Sequence, residues 1–522
     1  LIYAGKLFWF WGDTGRLSYP LGHFGVSGAT SEWPGRGGLD PALGVNLTYF
    51  VDASGFSRPM CPQPNHGMRW LEGPVVVPDE QGRARLVSRL AVQKDLGDAA
   101  EWHLMVFNDE TGAFESVQRW DLHDPHHSAH PQPVRVGGID YWYLFPEYRV
   151  RAELRAMRDL RNYEAFTCVA GDGRWRGADT RVEHDAAGRP RFSWKAAADR
   201  LWPGRVSQLV QQKKLQAGAT WHGMMDLASG RALGKGIESF AWNEYRRRWI
   251  AFFADQPGDV WFAEADTPLG PWGYARRVAE HGEYNFYNLA HHAFFDQLGG
   301  RRVYFEGTYT DSFSAARTRT PRYNYNQIMY ALDLADERLQ LPVAFYRVHT
   351  ADGRLTLALR DQIVTEAAWE RIEELAFFAL PPECTRAGTV PVFAEERNGG
   401  TLTLTSPGTG ARPLFVALPP EPAAPATGLA GVWQCRVRDA NRPGDGLALT
   451  LEFKPAGDRW AVKSPAGDLS GTGTLQGQRL RLQLTSGGFV FDCEAMLEAN
   501  RLAGTWQKIG STEAGTWSGT RT

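Results

Sequence analysis

The sequence predicts an all-β chain, and three observations carry that expectation. Aromatic residues are abundant, with 20 Trp, 17 Tyr and 27 Phe among 522 residues. Gly (56) and Pro (31) are plentiful, as strands broken by tight turns require. One local grammar recurs: an apolar strand, a tight turn, then an aromatic strand. Helical periodicity is weak and confined to short stretches near "RVRAELRAMRDL" and "RVSQLVQQKKL".

Five segments share that grammar. In order they are "LIYAGKLFWFWGDT", "EGPVVVPDEQGRARLVSRLAV", "HPQPVRVGGIDYWYLFPEY", "ESFAWNEYRRRWIAFFAD" and "HHAFFDQLGGRRVYFEGTY". Their turns hold Ala-Gly, Asp-Glu-Gln-Gly, Gly-Gly, Asn-Glu and Gly-Gly, which suit hairpins. Further strand-like sequence follows, such as "EWHLMVFND", "NYEAFTCVA", "GDVWFAEAD" and "NQIMYALDL". Five units of about four strands predict a five-bladed β-propeller over residues 1–340.

The hairpins also place chemistry. The innermost strand of a blade starts at one face of the disc, and the antiparallel second strand ends at that same face. Inner strands are expected to open on Glu72, His130, Glu238 and His292; second strands are expected to end at Asp13, Glu147, Asp255 and Glu306. Groups far apart in sequence should therefore ring the mouth of one central channel. Trp11, Trp70, Tyr309 and Tyr287 flank the ring and are candidates to stack on a sugar, or equally to pack the core.

The segments "LFWFWGDT", "WLEGPVVV" and "YFEGTYT" resemble the five-bladed propeller glycoside hydrolases, the superfamily of arabinanases, fructosidases and neoagarobiose hydrolases. The resemblance covers the first two thirds of the chain. "GVNLTYFVD", "GFSRPMC" and "TPRYNYNQIMYALDL" are similar to uncharacterised secreted bacterial propeller proteins. The resemblance implies carboxylates at the channel mouth acting as base or nucleophile, acid, and pKa modulator. By position these are Asp13 as base or nucleophile, Glu238 as acid and Glu72 as modulator, with the two glutamates exchangeable. It leaves His130, His292, Glu306, Trp11, Trp70 and Tyr309 as substrate-binding candidates, and His292 as an alternative acid. The superfamily's base usually opens the first inner strand, whereas Asp13 ends a second strand.

Such chemistry needs a proton donor to the leaving oxygen and a carboxylate on the other side of the sugar. The donor's pKa must be raised by burial or by a negative neighbour, which a crowded acidic ring supplies. The expected function is cleavage of glycosidic bonds in a poly- or oligosaccharide. The alternative is a non-catalytic glycan-binding propeller with an ion or ligand site in its channel. No cofactor is required, but histidines with carboxylates are also a ligand set for Ca²⁺ or Zn²⁺ in the central channel. The tract "HDPHHSAH" (His123, His126, His127, His130) reads as a polar loop with only His130 at the ring. A phosphorylase would need a basic phosphate pocket, and none is evident.

Residues 341–420 carry a second repeat. "VAFYRVHTADGRLTLAL…LAFFALPP" and "VPVFAEERNGGTLTLTS…PLFVALPP" match in order, and the first copy holds the insert "RDQIVTEAAWERIEE", which reads as a short amphipathic helix. "PPEPAAPATG" (419–428) reads as a linker. Residues 429–522 alternate apolar and polar positions and predict a small antiparallel β-sandwich or up-and-down barrel, with Trp433, Trp506 and Trp517 in its core.

Bulk properties narrow the partners. The net charge of −2 gives no basic face for nucleic acid. No run reaches the roughly 18 apolar residues of a membrane span. The five cysteines show no metal-type spacing; Cys435 and Cys493 share the last segment and are candidates to pair. The chain opens on Leu1 within a strand, as a processed or truncated chain does, so any secretory leader would lie upstream. The expected location is secreted or periplasmic.

Overall fold

The computed structural model describes residues 1–12, 26–62, 68–93, 99–120, 130–216 without 187, and 223–349 without 235, 313, 315, 319 and 321–322. It further describes 355–359, 375–380, 390–397, 401–405, 415–417, and 429–521 without 440–445, 457–458, 466, 477–478, 499–500, 510 and 512.

The first part of the chain is a five-bladed propeller. Blade one holds Ile2–Tyr3, Lys6–Trp11, Ser27–Ser31 and Thr48–Tyr49, side by side in that order. Blade two holds Met68–Pro78, Ala84–Gln93, Ala99–Asn108 and Ala113–Trp120. Blade three runs from Gln132–Val136 and Ile139–Phe145 through Tyr148–Arg151 and Glu164–Thr167 to Ser193–Ala196. Blade four has Ser239–Asn243, Arg248–Phe253, Asp259–Ala265 and Tyr274–Glu280, with Met225–Asp226 added in parallel outside. Blade five has Asn285–His291, Arg302–Thr310 and Asn326–Asp333. Among the described residues, the expected four strands per blade become five in blades three and four, and three in blade five. The only α-helices among the described residues, Leu154–Arg158 and Pro203–Gln211, fall in the two stretches with helical periodicity.

Period-2 alternation explains the packing, because adjacent residues face adjacent blades. Leu86 packs with Tyr3 and Phe8 of blade one, while Val87 packs with Leu144 and Val150 of blade three. Phe253 joins Tyr141 and Tyr143 of blade three, while Phe252 joins Phe286 and Phe305 of blade five. The ring closes through Leu7 and Trp9 of blade one against Phe295 and Tyr304 of blade five.

Blade five departs from the sequence reading. Its inner strand is Asn285–His291, ahead of "HAFFDQL", and Ala293–Phe295 and Leu298–Gly300 are 3₁₀ turns. Two constraints explain this. Phe295 is drawn under Trp9 and Tyr304 at the closure. Gly300 has φ +90, and a Cβ there would lie 2.9 Å from Asn243 Nδ2. The strand itself carries a β-bulge between Tyr287 and Ala290, with Asn288 at φ 56.

The two half-repeats form two three-stranded sheets with the same topology. In each, the first strand is central: Leu355–Leu359, Val343–His349, Leu375–Ala379, and then Thr401–Thr405, Val390–Arg397, Phe415–Ala417. The helix expected in the insert and the linker expected at 419–428 lie outside the described residues. The chain divides into two compact units, residues 1–386 with 391–417, and residues 418–522 with 387–390.

The second unit contains a closed eight-stranded up-and-down barrel, from Gly431–Asp439 to Ala514–Arg521, with its first and last strands paired. Trp433 and Trp517 are buried in its core and Trp506 packs against it. Cys435 and Cys493 are both free thiols, so the expected pairing is absent. They sit on the first and sixth strands of the barrel. Three strand spacings of about 4.8 Å separate those strands around the wall, too far for a disulfide. No helix among the described residues is long and apolar enough to cross a membrane.

Candidate functional site

Glu72 does not open the inner strand of blade two, which starts at Met68, but lies within it, directly opposite Arg89. A β-bulge follows at once, with Gly73 at φ 62. Ser88 Oγ donates to the Glu72 carbonyl at 2.7 Å, which pins the backbone at the bulge. The Arg89 guanidinium contacts Glu72 Oε2. Arg89 is buried and lies over the Trp102 ring at 4.2 Å, whereas a third of the Glu72 side chain is exposed. The carboxylate is therefore held from the protein side and open on the other.

Glu238 immediately precedes the inner strand of blade four. Its Oε1 accepts from the Ala254 N–H at 3.1 Å and its Oε2 from the Leu289 N–H at 3.0 Å. One side chain thus ties the first two strands of blade four to the bulge of blade five. Ser239 Oγ accepts from the His291 N–H at 2.9 Å beside it.

A second group gathers nearer the axis. In blade five His292 follows the inner strand rather than opening it, and Glu306 lies midway along the second strand rather than at its end, so His292 Nε2 comes 3.1 Å from Glu306 Oε1. Burial pushes the Glu306 carboxyl up, but His292 and His130 together hold it below its ordinary value. Burial first, then the neighbouring His292 charge, pulls His130 of blade three down to about 3. Trp9 of blade one meets the His292 ring edge-on at 5.2 Å. The structure therefore brings His130, His292 and Glu306 together from two blades, with a third blade alongside.

The remaining candidates divide. Asp13 lies outside the described residues. Glu147 is buried and bonded to Arg200 Nε at 2.5 Å. Asp255 pairs with Arg231 at 2.7 Å and accepts from the Gly234 N–H at 2.8 Å. Burial opposes ionisation of Asp255, yet these donors hold it below the usual carboxylate range. Trp70 packs against Gly12, where a Cβ would lie 3.2 Å from its ring. Trp11 is half-buried, 5.9 Å from Tyr49. Tyr309 stacks in parallel on Tyr284 at 4.5 Å, so one of its faces is already covered. Tyr287 is half-buried on the inner strand of blade five.

The sequence reading missed the arginines. Arg89, Arg200 and Arg231 each neutralise a carboxylate of the expected ring. Arg89 had a visible signal, a lone cation inside the apolar strand "LVSRLAV". Arg200 and Arg231 come from connecting segments and had none. Among the described residues, no group of three or more His, Cys, Asp and Glu is arranged to hold a metal ion. His123, His126 and His127 lie outside the described residues.

No family model matches the sequence, and no curated protein matches it. Several solved structures are similar at low identity. One is a family 43 glycoside hydrolase from Bacillus licheniformis, 11% identical, covering 100% of this chain and 96% of its own, with a TM-score of 0.30. Another is an endo-1,5-α-L-arabinanase from Thermotoga petrophila, 9% identical over 95% of this chain and 94% of its own, with a TM-score of 0.27. A xylan β-1,4-xylosidase from Bacillus halodurans is 9% identical over 99% of this chain and 88% of its own, with a TM-score of 0.27.

Proposed function

We propose that the propeller mouth binds a poly- or oligosaccharide and hydrolyses its glycosidic bonds. The observation that carries this reading is the placement of Glu72 and Glu238. They come from different blades, Glu238 just ahead of the inner strand of blade four and Glu72 within the inner strand of blade two, and each is fixed by dedicated donors. Fixed carboxylates are what glycosidic cleavage asks of a protein. In this reading Asp13 is the base or nucleophile and Glu238 the proton donor. Glu72, held by Arg89, is the modulating neighbour. Trp11 and Trp70 offer apolar surface beside them for a sugar ring.

One observation favours a second reading, glycan binding without cleavage. Three carboxylates of the expected ring are already paired with arginine, and Glu238 accepts a backbone N–H on each oxygen. Such a ring is suited to recognition by fixed charge.

The test is incubation of the purified protein with plant, algal and bacterial polysaccharides, with and without EDTA, beside an Asp13→Asn/Glu238→Gln double variant. Sugar released by the wild type and lost in the variant supports hydrolysis. Binding to a glycan without release from any of them selects the second reading. Loss of product in EDTA would assign an ion to the site.

A further inference from the structure

We propose that Ser116, His103 and Glu101, on the two outer strands of blade two, form a separate acyl-transfer site that cleaves esters of small acyl groups. Glu101 and His103 lie on Ala99–Asn108, and Ser116 lies on the edge strand Ala113–Trp120. His103 Nδ1 is 2.8 Å from Ser116 Oγ, and His103 Nε2 is 3.0 Å from Glu101 Oε2. An ionised carboxylate only accepts, so Nε2 carries the ring proton and donates it to Glu101. That leaves the Nδ1 lone pair facing the serine hydroxyl. Nucleophile, base and orienting carboxylate are thus in sequence at hydrogen-bond distance.

The backbone is shaped for this contact. His103 opposes Arg119, Leu104 opposes Gln118, and Met105 opposes Ser116, so Val117 is an extra residue in the edge strand. In an unbroken strand, residues 116 and 119 would point to opposite faces. The bulge returns both to the face that carries His103, which is a known use of bulges. His103 is buried, so its ring is fixed, whereas Ser116 is exposed and reachable. Arg119 is 64% exposed on the same face, with Nη2 3.5 Å from Glu101 Oε1, and offers guanidinium donors for a developing oxyanion. Met105, next along this face, packs with Tyr3 and Phe8 of blade one. The constellation shares no residue with the mouth or axial groups.

The step balances without any added reagent. Ser116 Oγ attacks the ester carbonyl carbon as its proton passes to His103 Nδ1. The C–O bond to the alcohol breaks, and the departing oxygen takes that proton. Water, deprotonated by the same nitrogen, then releases the acid and restores the serine. The open position of Ser116 suits acetyl-sized groups on an extended substrate.

The test is labelling of the intact protein with a fluorophosphonate probe, mapped by peptide mass, together with hydrolysis of p-nitrophenyl acetate. The expected result is one adduct at Ser116, absent in Ser116→Ala. Labelling and hydrolysis should slow by about a hundredfold in His103→Gln, the scale of general-base assistance. Glu101→Gln should also slow both and covers the case in which the histidine variant fails to fold. No adduct at Ser116 in folded wild-type protein would overturn the proposal. So would an adduct that forms equally fast in Glu101→Gln, because Ser116 would then be an ordinary surface hydroxyl.

Discussion

Replacing His130 by Gln should flatten the acid side of the propeller's stability profile. His130 sits among His291, His292 and Glu306, and burial followed by the His292 charge lowers its pKa from 6.5 to about 3. The folded value lies below the unfolded one, so the unfolded chain takes up the proton first. The neutral ring's full contribution is present above pH 6.5 and is lost progressively as pH falls toward 3. Each unit of that window is worth about 1.4 kcal/mol, so a change from pH 7.5 to pH 5 should cost about 2 kcal/mol from this one residue. Glu306 stays out of the comparison, because its folded pKa is below the ordinary 4.5 and it is ionised in both states across that range. The assay is calorimetric unfolding of wild type and His130→Gln at the two pH values, following the propeller transition. The variant should lose about 2 kcal/mol less than wild type on acidification. Equal losses would refute the picture of a neutral histidine held in the axial cluster.

Three further outcomes follow from the same contacts. Arg89→Ala should abolish glycan cleavage or binding at the mouth, whereas Arg89→Lys should restore part of it; both are read from product release and glycan affinity, and an unaffected Arg89→Ala would separate Glu72 from the site. Glu147→Gln leaves the nearly buried Arg200 guanidinium without its anion and should destabilise the propeller by about 3 kcal/mol, measured by denaturant unfolding. Gly300→Ala should cost about 1–2 kcal/mol in the same measurement, because φ is +90 and the new methyl meets the buried Asn243 side chain, whose amide bonds the Gly300 carbonyl at 2.8 Å.

The hairpins were legible because one grammar was written five times, and repetition averages out local ambiguity. Blade five shows where that failed. "HHAFFDQL" has the composition of a strand, but Phe295 belongs to the closure between the first and last blades. A contact that joins residues some 290 positions apart leaves no local signal. The same holds at the mouth. Glu238, just ahead of its strand, could be found from hairpin alignment, because antiparallel pairing fixes which ends share a face; the same alignment set Glu72 at a strand start, and it lies inside the strand. The partners of the carboxylates could not be found that way. Arg200 and Arg231 reach Glu147 and Asp255 from segments outside the hairpins, and Leu289 offers its N–H to Glu238 from a bulge. Side-chain charge was readable in the sequence, but its neutralisation was not.

Trp9 touches both the closure and the axial cluster. Its indole packs into the closure with Phe295, and its edge meets the His292 ring. The disc is thus a hoop whose clasp touches its hub. Swelling or slack at the seam reaches the axial histidine directly, and anything that fixes that histidine tightens the seam in return. A molecule that fixed His292 would therefore act on the seam through Trp9. A molecule seated at the hub should raise the force or temperature at which blade one peels from blade five before it alters any other blade boundary.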